Sequence, residues 1–445
     1  HRDLHSFPTR RSSDLIGLII TDAVKLAQPK TATNINTWNI GDGEAHVMGK
    51  LYIGSNNNNS NCTSKISLND GTLSIEDTLV FESPNGLPGC AEISMTGAAT
   101  LNLSDNIFLA NGSGTITPGS SSTTALNGMM QIQTIQTGSE IKYNNLVLNN
   151  VISEGILLQN NIFSDKISGN LIVANGKLTT NGYSITGNAG KTFQVNAGAF
   201  VEVTGNGGPF PFMGFSTYNF NATSNFYFKQ VQNSDIPGLS FGNVYLHPQT
   251  GNVKFSTAPG TLTVLGELNI GDGTITGTEL NASMNNTKII TSSNVTINNG
   301  SVFNATNDTL FVESYFYNDG QYLSNNGTFC AKGAMGQEIN GNRMKFYNLV
   351  IDCMDITLSG NDTVQNNLTM MNGNINMNGA SRLTIGLNGA NAGNIIHKNG
   401  AVIGELERWI NSTNNYLLFP IGDGSNSRTF GIRPLTLSNP GTILS

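Results

Sequence analysis

The chain has 445 residues, a net charge of −7, 38% hydrophobic residues and only 11% charged ones. An acidic, charge-poor chain offers no source for the counterion-driven phosphate binding of nucleic-acid proteins. Hydrophobic content with low net charge argues against disorder, and no run reaches the roughly 18 apolar residues of a membrane helix.

The first fifteen residues, HRDLHSFPTRRSSDL, raise two readings. His1-Arg2-Asp3-Leu4 matches the start of a kinase catalytic loop. No Gly-rich loop or strand lysine precedes it, and Pro8 holds the place of the motif's asparagine, so that reading fails. His1 through Leu15 also resembles, without a gap, the in-frame translation of a common short-read sequencing adapter. On that resemblance the segment is non-native, lies outside fold reasoning, and is expected to pack against nothing specific. Without it the net charge becomes −8, and His46, His247 and His397 are the histidines that remain. The run Ile16–Ile20 is apolar, but Asp22 and Lys25 interrupt any signal-peptide core.

Strand signals dominate from there on. In KISLNDGTLSIEDTLVF, Ile66 and Leu68 alternate with polar residues, Asn69-Asp70-Gly71 turns, and Leu73 and Ile75 alternate again. Alternation of this kind places one strand face on a core and the other in solvent. Asp-Gly and Asn-Gly supply the positive-φ positions of turns. The 3.6-residue apolar period of a helix is nearly absent.

Four cysteines fall into two sequence-local pairs, Cys62 with Cys90 and Cys330 with Cys353. Local disulfides fit an oxidising, extracytoplasmic location; four buried thiols are the other reading. No C-x-x-C occurs, so no zinc or thioredoxin-type site is expected.

A long repeat starts near residues 130, 230 and 335. YNNLVL (Tyr143–Leu148), FGNVYL (Phe241–Leu246) and FYNLVI (Phe346–Ile351) share an aromatic-x-Asn core whose asparagines, 145, 243 and 348, are 98 and 105 residues apart. Gln133, Gln230 and Gln337 precede the three copies, and a strand–turn–strand unit follows each: LIVANGKLTT, LNIGDGTITG and LTMMNGNINM. The shared asparagine is expected to bond neighbouring backbone or to form a ladder between rungs. A β-sandwich per repeat is conceivable. Small strands, Asn and Gly at corners and low charge instead favour an all-β parallel β-solenoid over residues 16–400, with several coils in each imperfect repeat of about 100 residues. Residues 401–445 are denser in charge and aromatics, and are expected to begin a truncated, sandwich-like β domain.

Few positions suggest chemistry. Phe210, Phe212, Phe215, Tyr218 and Phe220 crowd one segment and, if exposed, would form a glycan- or partner-binding surface; a hydrophobic plug or packing between repeats is the favoured reading. IGDG occurs at 40–43, 270–273 and 421–424. Each aspartate stands alone, which makes these turns rather than Ca²⁺ loops. Asp352 and Asp355 could be proposed as a hydrolytic carboxylate pair, but positions three apart on a strand face opposite ways. Glu405, Glu407 and Arg408 are the densest charge cluster. No catalytic residue, cofactor or metal ligand is assigned.

The Gln…aromatic-x-Asn unit resembles a repeat of very large secreted surface proteins of gliding Gram-negative bacteria, exported by the type IX secretion system. Gly404-Glu405-Leu406-Glu407-Arg408 with Phe419-Pro420-Ile421-Gly422 is similar to the G-x-Φ-x-R…FPΦG segment that follows such repeats. The resemblance covers about residues 130–435 and implies an extracellular adhesive or scaffold protein. It would meet glycans or other surface proteins through many weak contacts. The alternative is a polysaccharide-degrading β-helix enzyme.

Overall fold

The computed structural model describes residues 2–3, 18–26, 35–54, 63–82, 90–110, 112–138, 140–341, 343–413, 415–424, 426–437 and 439–445. Two compact units make it up: His1–Thr204 with Pro211–Ser224, and Gly205–Phe210 with Asn225–Ser445. Each is a stack of parallel strands wound as a β-solenoid, about 16 turns over the chain, and no described residue is helical. The solenoid expected from the repeat pattern is the observed fold.

The first unit builds a turn from three short strands. Thr63–Asn69, Thr72–Ile75 and Leu79–Glu82 form one turn; Ala91–Thr96, Thr100–Leu103 and Ile107–Leu109 form the next. Each strand pairs in parallel with its counterpart one turn away, not with its own turn-mates. The pairings therefore define stacked faces rather than a barrel.

Alternation fills the interior. In-register stacking places Val47, Ile75, Leu103, Leu126, Leu148, Val173, Val195 and Phe220 in one inward column. All eight are buried. The second unit repeats the device with larger residues. Leu262, Ile289, Leu310, Phe329, Leu349 and Leu368 form one column. Val244, Leu268, Val295, Phe316, Ile339 and Leu358 form another. Between them Phe316, Tyr322, Phe329 and Phe346 meet edge-on or tilted, with centroids 5.1–6.1 Å apart. That is the range in which ring quadrupoles attract.

Turn length varies from 18 residues (Phe226 to Val244) to 28 (Ile75 to Leu103), yet the columns stay aligned. The long repeat is therefore not the turn. Within the second unit Asn243 precedes the Val244 column, whereas Asn348 precedes Leu349 of the other column. Two copies of one motif thus occupy different corners.

The turn dipeptides also act differently from a hairpin signal. Asp70 takes φ 59° between strands on adjacent faces, and its Oδ1 accepts the Ala98 N–H of the next turn at 2.7 Å. Asn175-Gly176 and Asn372-Gly373 lie inside the continuous strands Leu171–Thr179 and Asp362–Met377. Their glycines (φ 70° and 76°) bend the strand around a corner. A Cβ on Gly176 would run into the Asn150 carbonyl oxygen, so the backbone can round that corner only without a side chain.

Residues past 400 join the same stack before they change character. Val402–Ile403 and Glu405–Ile410 pair in parallel with strands of the preceding turns. Antiparallel pairing begins with Gly441–Leu444 against Glu405–Ile410, and with Leu417–Phe419 against Phe430–Ile432. At the other end Arg2–Asp3 pair with Val24–Lys25. This backbone ladder departs from the expectation that residues 1–15 touch nothing specific; residues 4–15, Phe7 among them, lie outside the described residues.

Candidate ligand-binding face

The aromatic segment, which the sequence offers either as a surface patch or as internal packing, is mostly interior. Phe210, Phe212, Phe215 and Phe220 are buried. In the first unit Phe212, Phe215 and Phe220 gather around Phe193, with centroids 4.5–5.7 Å away. In the second, Phe210 packs on Phe228 and Phe241. Tyr218 is half-buried, and its hydroxyl donates to the Phe212 carbonyl. Burial of these rings outweighs a surface role: each full burial contributes about 1.5–3 kcal/mol.

The expected Cys330–Cys353 disulfide is absent, and both thiols are free and buried. Cys330 lies opposite Val350 and Cys353 opposite Gly333. Three strand positions, ~10 Å, therefore separate them, beyond the reach of a disulfide. Burial pushes the Cys330 thiol up to about 11 and the Cys353 thiol up to about 12, with the carboxylates Asp352 and Asp355 adding to the effect. Cys90 is buried, and its expected partner Cys62 lies outside the described residues.

The other polar candidates serve the scaffold. Asp352 accepts the Asn372 amide at 2.6 Å, and Asp355 accepts the Asn374 N–H at 2.7 Å. Both carboxylates are thereby bound to the next corner. In the IGDG turns Asp272 accepts the Thr274 and Ile275 N–H groups, and Asp423 accepts that of Asn426. The charge cluster splits. Glu407 accepts the Thr384 hydroxyl and pairs with Arg382, while Arg408 is buried and donates to the Leu418 carbonyl at 2.9 Å. Beside it the Val402 N–H donates to Pro420 O and the Gly422 N–H to Val402 O. The Gly404–Arg408 and Phe419–Gly422 motifs are thus one packed unit.

The repeat signature is structural as well. Asn145 accepts the Asn170 N–H and Asn243 accepts the Glu267 N–H. Asn348 accepts the Asn367 amide. These are turn-to-turn bonds of the ladder type the sequence suggested. The glutamines are buried corner bolts. Gln133 makes four bonds, to Gly128 N–H, Asn150 Nδ2, Leu103 O and Asp105 O. Gln230 holds Ser234, and Gln337 holds the Lys332 carbonyl.

One constellation escaped the sequence analysis. Tyr227 and Tyr245 lie in register on adjacent turns of the second unit, their rings stacked at 4.4 Å and 13°. The same outward column continues through Asn269 and Thr296 to Tyr317 and Asn340. Asn269 donates to Glu267 at 3.3 Å, and the Tyr245 hydroxyl lies 3.5 Å from the same carboxylate. Asn340 donates to Glu338, also at 3.3 Å. His247 rests edge-on against both stacked rings, with Nε2 3.0 Å from Asn269 Oδ1. The tyrosines here are half-buried. Desolvation first, and then the neighbouring glutamate, raises the Tyr245 hydroxyl to about 12 and raises that of Tyr317 too. In hindsight the signal was the alternation of Phe and Tyr in NFYFK, which puts every second ring outside.

No protein-family model, no curated protein and no solved structure matches the chain. Among the described residues no cluster of His, Cys, Asp and Glu is arranged to hold a metal ion, and no helix is long and apolar enough to cross a membrane.

Proposed function

We propose that this chain is part of a non-catalytic structural or adhesive β-solenoid protein, secreted or displayed at a cell surface, whose outward faces hold glycans or neighbouring surface proteins. The observation that carries the reading is the outward column from Tyr227 to Asn340, which sets half-buried rings and amides in register, with Glu267 and Glu338 bonded beside them. Such a face offers many weak contacts whose sum depends on spacing. The carboxylates considered for hydrolysis, Asp352 and Asp355, are instead engaged by asparagines at the next corner. Type IX export and a non-native origin for residues 1–15 belong to the same reading.

A glycan array together with a reducing-sugar release assay on the whole chain tests it. Binding without release is the expected result. Turnover of any polymer would establish the enzymatic alternative, and inertness in both assays would leave a passive spacer.

A further inference from the structure

The outward column of the second unit contains the same arrangement twice. Tyr245 is followed one turn later by Asn269, whose amide donates to Glu267 two residues before it. Tyr317 is followed one turn later by Asn340, whose amide donates to Glu338 two residues before it. Both amide–carboxylate bonds measure 3.3 Å. Register places Asn269 and Thr296 between Tyr245 and Tyr317, so the tyrosines stand three strand spacings apart, ~14 Å. A short polar side chain, Thr296, floors the interval.

We propose that these two Tyr–Glu–Asn sets are paired subsites for one linear, uncharged polysaccharide lying across the stacked turns. The proposal rests on the glycan-binding reading above and names its site and ligand class. Each set offers an aromatic ring for the apolar C–H face of a sugar. Each also offers a carboxylate to accept from hydroxyls, held in place by its asparagine; the Asn269 oxygen is itself held by Asn298 and His247. Interval and floor suit a short oligosaccharide spanning both ends rather than a single sugar at one. One glutamate in each set disfavours a uronate-bearing chain, because like charges brought together raise the cost of binding.

The test uses the whole chain, with affinity electrophoresis in hydroxyethyl cellulose, laminarin and mannan, polygalacturonate as the acidic control, and titration with neutral hexa- and disaccharides of the polymer bound. Tyr245→Ala and Tyr317→Ala should each weaken the hexasaccharide by about tenfold, because an anchored chain loses its intramolecular second contact. Disaccharide affinity per site should stay within about twofold. The double variant should lose retardation. Both side chains are half-buried and stacked on a neighbouring tyrosine, so the melting temperature should fall by a few degrees with the chain still folded, and Tyr→Trp at either position should restore binding. Neutral-polymer binding unaffected by the variants would overturn this site while leaving the glycan reading standing. Preference for polygalacturonate would overturn the ligand class. No binding to any polymer would overturn both.

Discussion

Asp362 is the residue most at odds with its surroundings. It is fully buried, its Oδ1 accepts the Met344 N–H at 2.8 Å, and its Oδ2 has no partner. Desolvation pushes its carboxyl up to about 7, against the single backbone bond that pulls it down. A carboxyl raised in the folded state contributes its stability below its unfolded value near 4, and loses it as pH rises through 7. At ~1.4 kcal/mol per pH unit across that interval, ionisation costs a few kcal/mol. Asp362→Asn keeps the acceptor and removes the charge. It should raise the melting temperature at pH 8 and leave it unchanged at pH 4; equal effects at both would refute the assignment. Gln133 is the opposite case, buried with all four of its bonding positions used. Gln133→Leu should cost about 2–4 kcal/mol in denaturant unfolding, since it strands several buried groups. Exposed Gln131→Leu should cost under about 0.5 kcal/mol. Iodoacetamide at pH 8 should leave Cys330 and Cys353 of the native protein unmodified, as read by peptide mass spectrometry. Both are buried with raised thiols, and only a thiolate reacts.

At the scale of the strand, the glycines at corners decide where the chain turns. Gly176→Ala should cost well over 1 kcal/mol, because the new methyl meets the Asn150 carbonyl in addition to the left-handed φ. Gly190→Ala, at φ 78° with open space around it, should cost only about 1 kcal/mol. Equal losses in denaturant midpoint would show that conformation alone, not the neighbouring turn, governs the corner. Strand character, inward positions and the ladder role of Asn145, Asn243 and Asn348 were legible in the sequence, because period-two alternation survives any arrangement of the strands. The bent strand through Asn175-Gly176 was not: the same dipeptide serves a hairpin or a corner, and only the partner strand distinguishes them. The segment Phe210–Phe220 left a surface patch and internal packing both open in the sequence. Its density of rings signals attraction to apolar surroundings, and the interior supplied them.

For the molecule as a whole, stability in each unit is a sum over neighbouring turns. Phe303→Ala should remove about 3–5 kcal/mol, because Phe303 is fully buried and stacks in register between Leu280 and Tyr322. Native-state hydrogen exchange should show protection lost in the few turns around it and kept in the first unit. A chain-wide loss would mean that the stack unfolds as one cooperative body. The candidate binding face is hidden in the sequence for a reason that also lives at this scale. Tyr245 and Tyr317 are 72 residues apart in the chain, and turn lengths from 18 to 28 residues conceal that they share one column.

That variation in turn length has a wider consequence. Pairing distance between turns is fixed by backbone hydrogen bonds, so a residue added at a corner lengthens the circumference and leaves the pitch untouched. Each unit behaves as a ruler with constant graduations and rewritable margins. Groups displayed on a flat side keep their spacing while the edges acquire or lose sequence freely, so recognition by spacing and diversification by insertion do not interfere with each other.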